Sequence, residues 1–187
     1  TTRYEMARVL YYGEDKKALH ASLAGIQKDL AKIASDPARH VGAGDPFVLT
    51  VAHRLFGQQG YDFRPAFLEL AANTYGAPFQ PADFTNNAAG ETKTINAWVE
   101  QQTRQRIRNV VPEGALNRDT RLLLVNAIYL KASWQNAIDK YLTRPHAFHL
   151  ENGEAAEVPT MTHQGPMGYA KEDGYTAVSL FYLGGDV

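Results

Sequence analysis

The sequence of 187 residues predicts an α+β fold, because helical patterns dominate its first half and strand patterns its second. The clearest helix covers 15–36, where apolar residues recur at steps of three and four along one face. The clearest strand covers 121–131, the longest strand-like run in the chain. Hydrophobic residues make up 44% and charged residues 21%, so the chain can bury a globular core.

The first half of the chain is predicted to join helices to extended segments. Asp15 is a good N-cap for the clearest helix, and Asp36 ends it because a residue before proline avoids helical geometry. Pro65 suits the first turn of another helix. In order, the predicted elements are a helix over 2–12, the helix over 15–36, a loop over 40–46, a strand over 47–56 ended by Gly57, a helix over 65–76 and an extended segment over 78–84.

A longer helix is predicted to start at a cap formed by Asn86 or Asn87 and to stop before Pro112. Its predicted core-facing residues are Ile95, Trp98, Val99, Ile107 and Val110. Cations near a helix C-terminus interact favourably with the helix dipole, and three arginines fall there: Arg104, Arg106 and Arg108.

The second half is predicted to consist mainly of strands. The 121–131 run does not alternate between apolar and polar residues, which predicts a strand covered on both faces. Three later strands are predicted over 144–150, 156–163 and 175–183. Turn signals separate them, at Asn152-Gly153, Gly165-Pro166 and Asp173-Gly174.

Composition and motifs exclude several classes of function. The net charge of −1 does not provide the electrostatic footprint of a general nucleic-acid binder, and no apolar run approaches the roughly eighteen residues of a membrane helix. Without cysteine there is no disulfide, thiol nucleophile or iron–sulfur site. The G-x-S-x-G nucleophile motif and the glycine-rich phosphate loops are also missing.

The histidines do not form a metal-site pattern. His146 and His149 are three residues apart in a predicted strand, so their side chains face opposite sides, and no nearby carboxylate completes a site. His53 lies in the middle of a predicted strand and is interpreted as a buried, hydrogen-bonded histidine rather than a base. No metal site is therefore predicted.

A basic stripe along the clearest helix has two interpretations. A polyanion could bind it, or it could be an ordinary solvated face, which the neighbouring Asp15 and Asp29 favour. The stripe consists of Lys16, Lys17, His20, Lys28 and Lys32.

Two residues of the 121–134 region are unusual. Asn126 lies inside the most apolar run, where a buried amide needs hydrogen-bond partners and each unmet group costs about 1–3 kcal/mol. Trp134 follows the strand and is expected to fill the core rather than bind a ligand. Neither residue is predicted to be catalytic.

Four segments resemble a known family when they are taken together in order. The helix F motif of the serpin family is similar to INAWVE at 95–100, and the third strand of its central sheet A resembles LVNAIYLKASW at 124–134. The region from Thr143 to FHL at 148–150 resembles the fourth strand of sheet C, and VPTM at 158–161 resembles its third strand.

The resemblance extends to YLGGD at 182–186, which is similar to the end of the first strand of sheet B. It implies a single partial serpin domain of bacterial type over 1–187, with helices packed on a large mixed sheet A and parts of sheets B and C. The chain is expected to begin near helix C, to stop after the first strand of sheet B, and to lack the reactive-centre loop.

The resemblance also implies an inhibitory mechanism. In serpins a protease cleaves an exposed reactive-centre loop, which then inserts into sheet A as a new strand and carries the acylated protease to the far pole, where deacylation fails. The native fold is metastable, and insertion releases its stored free energy. This chain is expected to supply the receiving sheet and not the bait loop, so no residue is assigned a catalytic role or the reactive bond.

The same resemblance implies roles for named residues. Asn126 falls at the shutter, where sheet A parts, and Trp134 falls at the breach, where insertion begins. Asn96 and Trp98 belong to helix F, which lies across the sheet and has to yield. The gate beside the far end of the loop carries Thr143, Phe148, Pro159 and Met161. One departure is His53, where many members carry a smaller polar residue such as asparagine.

The expected function is inhibition of a serine protease, with a cysteine protease as an alternative target. A non-inhibitory serpin acting as carrier, chaperone or scaffold stays open, because the loop hinge that distinguishes the two is not in this chain. A hydrolase would need a nucleophile–base pair, and none is present in sequence. No enzyme activity, cofactor, nucleic acid or membrane partner is expected. The remaining half of the serpin is a predicted partner, as a second chain or otherwise, and the expected location is extracellular (secreted) or periplasmic, with the cytoplasm as an alternative.

Overall fold

The computed structural model describes residues 2–13, 15–36 and 47–183. Within these ranges the elements are, in order, α1 (Thr2–Val9), α2 (Lys16–Ser35), β1 (Val48–Gln58), α3 (Pro65–Tyr75), β2 (Phe79–Ala82), α4 (Phe84–Gln102), β3 (Leu122–Lys131), a short 3₁₀ helix (Lys140–Leu142), β4 (Arg144–His149), β5 (Ala155–Thr160), β6 (Gly168–Glu172) and β7 (Tyr175–Ser179). The predicted loop over 40–46 lies outside the described residues. The described chain divides into two compact units, one of 2–36 and 48–130 and the other of Phe47 and 131–183.

The first unit contains a three-stranded sheet in the order β2-β1-β3. β1 and β2 run parallel, with Leu55 opposite Phe79. Gln58 donates its N–H to the carbonyl of Arg121 at 2.8 Å, and this contact joins the end of β1 to the residue before β3. β3 is therefore the edge strand on its side of the sheet, within the part of the chain that is described.

Gly57 does not end the first strand as predicted. It lies within β1 opposite Pro81 and is followed by Gln58, the last residue of the strand. A Cβ at this position would collide with the rings of Phe79 and Phe63. Glycine is needed here because two aromatic rings pack directly on the strand backbone.

The helix ends of α2 and α3 follow the sequence signals. The carboxylate of Asp15 accepts hydrogen bonds from the N–H groups of Lys17 (2.8 Å) and Ala18 (3.1 Å), and so satisfies two of the unpaired donors of the first turn of α2. Pro65 lies in the first turn of α3, and Gly76 ends that helix in the left-handed conformation at φ 57°. The predicted helices over 15–36 and 65–76 are confirmed.

The start of α4 differs from its prediction. Its N-cap is Asp83, whose carboxylate accepts from the N–H of Asn86 at 3.0 Å, so neither Asn86 nor Asn87 is the cap. This backbone hydrogen bond, with the side-chain amide of Asn86, lowers the pKa of Asp83. Asn87 instead has non-helical φ and ψ and marks a kink.

The end of α4 also differs, because the helix stops at Gln102 and not at Pro112. The hydroxyl of buried Thr103 donates to the carbonyl of Val99 at 2.8 Å and accepts from the N–H of Ile107 at 3.1 Å. Arg104 and Gln105 then take positive φ values of 49° and 63°, which no helix can continue through. The three arginines at 104, 106 and 108 therefore lie beyond the helix.

The larger of two hydrophobic clusters lies between α4 and the sheet, and the smaller contains Leu55, Ala71 and Ala77. The predicted core residues Ile95 and Val99 of α4 are buried, as are residues from all three strands. Ile107 packs against this core although it lies outside the helix. The buried members are Phe56, Ala82, Phe84, Ile95, Val99, Val111, Leu116, Val125 and Ala127.

β3 was expected to be covered on both faces, and this prediction is wrong for the described residues. Burial alternates along the strand: Val125 and Ala127 face the core, whereas Leu124 and Ile128 are exposed on the other face. The physical reason is that α4 covers one face, and no element of the described chain covers the apolar face opposite.

The second unit contains two antiparallel hairpins. β4 pairs with β5, with Arg144 opposite Thr160, and β6 pairs with β7, with Gly168 opposite Ser179. Gly153 and Gly174 have φ values of 88° and 86° in the two turns, a conformation that glycine adopts without strain. The strands predicted at 144–150 and 156–163 are confirmed within a few residues, 175–183 ends earlier, and β6 was not predicted.

None of the helices in the described ranges is long and apolar enough to cross a membrane.

Candidate functional site

A side-chain hydrogen bond joins β1 to β3 near the middle of both strands. Asn126 Nδ2 lies 2.6 Å from Nδ1 of His53. Gln58 pairs with Arg121, and His53 pairs with Asn126. Because His53 comes before Gln58 in the chain whereas Asn126 comes after Arg121, β1 and β3 run in opposite directions. His53 is half-buried and hydrogen-bonded, which agrees with its interpretation, but Asn126 is exposed and not buried as expected.

Asn126 is exposed because it lies on the uncovered face of β3, together with Leu124 and Ile128. Successive residues of a strand alternate between faces, so its neighbours Val125 and Ala127 take the core positions. The predicted shutter residue thus lies on the uncovered face of β3.

The His53–Asn126 contact depends on the charge of the imidazole. With the amide NH₂ of Asn126 facing the ring, Nδ1 of His53 accepts, an arrangement that requires a neutral imidazole with its proton on Nε2. Partial burial lowers the pKa of His53, which favours this neutral form. Protonation would place a hydrogen on Nδ1 and break the contact unless the amide of Asn126 rotates.

The two predicted helix F residues, Asn96 and Trp98, attach α4 to neighbouring parts of the first unit. Asn96 donates from Nδ2 to the carbonyl of Val111 at 2.9 Å and accepts from the N–H of the same residue at 2.9 Å. This pair ties α4 to the segment that leads toward β3. The rings of Trp98 and Phe56 form a T-shaped pair with centroids 5.9 Å apart, which packs α4 onto β1.

Arg54 is a site residue that the sequence reasoning missed. Its guanidinium carbon lies 4.6 Å from the centroid of the Trp98 ring, and its Nη1 donates to Oε1 of Gln80 at 2.8 Å. Among the described residues its buried Nε has no hydrogen-bond partner. The signal in the sequence is an arginine between the buried residues Ala52 and Phe56, at the alternate positions of one strand face.

The predicted breach residue Trp134 stacks on Tyr182. The ring centroids are 4.5 Å apart and the planes 11° from parallel. Two backbone hydrogen bonds flank the stack, from Gln135 N–H to the Phe181 carbonyl and from Leu183 N–H to the Ser133 carbonyl. Trp134 is 40% exposed, so the expectation that it fills the core is wrong.

The four predicted gate residues lie in or beside the β4–β5 hairpin. Thr143 ends the short 3₁₀ helix directly before β4. Phe148 is exposed in β4 opposite Ala156, and Pro159 lies in β5 opposite Pro145. Met161 follows β5 and is exposed. The hairpin brings Phe148 and Pro159 into neighbouring strands.

The remaining polar candidates give no site in the described chain. His146 and His149 both lie in β4, and the described residues include no cluster of three or more potential metal ligands. His20 of the basic stripe contacts the hydroxyl of Tyr75 at 2.5 Å, which turns it toward α3. Burial, and secondarily the charge of Tyr12, raises the pKa of Tyr75. Lys32 forms an exposed ion pair with Asp29 at 3.5 Å, which supports the solvated-face interpretation.

The whole chain matches one protein family. The family model described as Serpin (serine protease inhibitor) matches residues 1–187. The leukocyte elastase inhibitor of Sus scrofa is 32% identical over 188 residues, an alignment that covers 100% of this chain and 47% of that protein.

Two solved structures agree with this match. AtSerpin1 of Arabidopsis in its native stressed conformation has a TM-score of 0.80 at 28% identity, over 99% of this chain and 45% of that one. Uncleaved ovalbumin has a TM-score of 0.78 at 26% identity, over 99% of this chain and 48% of that one. The chain therefore spans less than half the length of these relatives, and its helices, mixed sheet and smaller sheets correspond to part of their fold.

Proposed function

The chain belongs to the serpin family, and on that premise we propose that its sheet β2-β1-β3 receives a cleaved reactive-centre loop during inhibition of a serine protease. The bait loop itself belongs to the rest of the fold. The proposal makes the chain part of an inhibitor rather than of an enzyme.

The observation that carries the proposal is the position of β3 at the edge of the sheet. An edge strand presents unpaired N–H and C=O groups, to which another strand can add by backbone hydrogen bonding. The family match supports this interpretation, since the family model describes serine protease inhibitors and the 32% identical relative is named an inhibitor of leukocyte elastase.

The His53–Asn126 contact is proposed as the shutter. It ties β3 to β1 at mid-strand by a contact of 2.6 Å, and so fixes β3 on the side opposite the edge at which the loop would add. The proposed breach at Trp134 lies beyond the end of β3, where the stack on Tyr182 fixes the chain. The residues of the β4–β5 hairpin are proposed to form the gate.

The proposal also requires a cover for the open face of β3. Leu124 is 64% exposed and Ile128 57% exposed, and an exposed apolar strand invites association. We assign this cover to the remaining part of the serpin fold, either in the same polypeptide or as a second chain.

The test is incubation of the full-length protein with trypsin-like, chymotrypsin-like and elastase-like proteases, followed by denaturing electrophoresis. The expected result is a covalent adduct that resists SDS, formed with at least one protease. The matched control is the same protease without its active-site serine, which cannot acylate and forms no adduct. Cleavage of the loop by all three proteases without any adduct would contradict the proposal.

A second candidate is a non-inhibitory serpin that acts as a carrier, chaperone or scaffold. The likeness to uncleaved ovalbumin, with a TM-score of 0.78, favours it, because the name of that neighbour, unlike that of the elastase inhibitor, describes no inhibitor. The two candidates differ after loop cleavage: an inserted loop raises the melting temperature, whereas a loop that stays outside leaves it unchanged.

A further inference from the structure

We propose that Arg54 is a positioning residue, a clasp that holds α4 on the sheet and sets how readily the helix moves when a strand inserts. This inference rests on the proposed function. It concerns the face of the sheet whose cover, α4, is itself within the described chain.

Arg54 contacts each layer of this interface. It belongs to β1, its Nη1 donates to Gln80 of β2 at 2.8 Å, and its guanidinium lies over Trp98 of α4 at 4.6 Å. A guanidinium within about 6 Å of a tryptophan centroid is attracted by the negative face of the ring. The contact therefore links the helix to two strands at once.

The clasp is incompletely satisfied. Its buried Nε lacks a hydrogen-bond partner among the described residues, and no carboxylate pairs with Arg54 there. An unpaired buried polar group is rare in native proteins and costs free energy.

The strength of the contacts fits a helix that has to be released. A buried ion pair would resist separation strongly, whereas a ring face and an amide oxygen offer weaker partners that water can replace when α4 lifts. If α4 lifts from the sheet, Trp98 loses its contact with the guanidinium of Arg54. Arg54 thus contributes to the barrier against displacement of α4 rather than to the core itself.

The test compares Arg54→Met with wild type in the full-length, uncleaved protein. Methionine keeps an aliphatic side chain of similar length and removes the positive charge and the hydrogen-bond donors of arginine. Hydrogen exchange of the α4 amides is expected to become about three- to tenfold faster. Loop insertion after protease cleavage is expected to accelerate in the same range.

The matched control is Arg108→Met, which removes an exposed arginine paired with Glu100 of α4 at 3.1 Å. It is expected to leave the exchange of α4 unchanged. The β4–β5 hairpin serves as an internal reference for exchange. If Arg54→Met does not fold, Arg54→Lys is used instead, because it keeps the positive charge but loses the planar guanidinium donors. A smaller increase in exchange rate, confined to the α4 amides, is then expected.

The clasp and the proposed function can fail separately. Faster exchange confined to α4 supports the clasp even if no protease forms an adduct. Unchanged α4 exchange in the Arg54 variants overturns the clasp even if the adduct forms. Equal acceleration in α4 and in the β4–β5 hairpin also overturns it, because that pattern reports a general loss of stability.

Discussion

The two faces of β3 are built from similar residues but have different surroundings. Val125 is 5% exposed against the core under α4, whereas its neighbour Leu124 is 64% exposed on the opposite face. Both side chains are aliphatic and adjacent in sequence. Their different burial comes from the elements packed on each face and not from the local sequence.

This difference separates what the chain stabilises by itself from what it leaves for other parts of the fold. The covered face has a core with Phe56 and Ile95, held by α4. The open face carries the His53–Asn126 contact and a row of exposed aliphatic side chains. Stability is therefore expected to depend mainly on the covered face, and association with other parts of the fold on the open one.

The largest expected effect is on the isolated chain, which we predict to aggregate or to stay molten because its open face is apolar. Leu124→Lys should lower the aggregated fraction in size-exclusion chromatography. The matched control Val125→Lys should not, because that residue faces the core. A sharp cooperative melt of monomeric, unmodified 1–187 would contradict this prediction.

The covered face is tested next by Phe56→Ala in the full-length protein. Removing a fully buried ring leaves a cavity, and the free energy of unfolding is expected to fall by about 3–5 kcal/mol. Phe56→Leu should cost less, about 1 kcal/mol, because it keeps most of the apolar volume. Denaturant titration measures both, and equal losses for the two variants would show that the cavity is not the cause.

The open face is tested by Asn126→Ala in the full-length protein. Loss of the hydrogen bond to His53 is expected to lower stability by about 0.5–1.5 kcal/mol and to increase polymer on native gels. In a double-mutant cycle, His53→Ala should add little to Asn126→Ala, since both remove one contact. Unchanged stability together with no extra polymer would reject the shutter role.

The smallest expected effect is a pH dependence from His53. Its pKa is lowered in the folded state, so the unfolded chain binds the proton more readily. The contribution is complete above the unfolded pKa of about 6.5 and decreases as the pH falls toward the lower folded value. Melts of wild type and His53→Asn between these limits measure it. Parallel pH profiles for the two proteins would contradict the prediction.

The fold class and most helix ends could be predicted because their signals are local. Asp15 and Pro65 are sufficient to place two helix starts, and Gly76 marks a helix end. The end of α4 could not be placed, since apolar residues such as Ile107 continue to reach the core after the backbone leaves helical geometry at Thr103. The spacing of apolar residues indicates which side chains are buried, but not whether they belong to the helix or to the irregular segment after it.

The candidate site was only partly predictable, because its contacts join distant segments. Asn126 was identified from its unusual position, but its pairing with His53 depends on the register of two strands, which no local pattern fixes. The exposure of Asn126 depends on which face of β3 is covered. Arg54 was missed because its role comes from Trp98, a residue on another element.

The most direct test of the central claim is hydrogen exchange along β3 before and after protease cleavage of the full-length protein. If a cleaved loop inserts beside β3, the amides of Leu122–Lys131 should exchange more slowly after cleavage. The β4–β5 hairpin, which receives no strand in this account, should change little. Unchanged exchange of β3 after complete cleavage of the loop would contradict the claim that this sheet receives a strand.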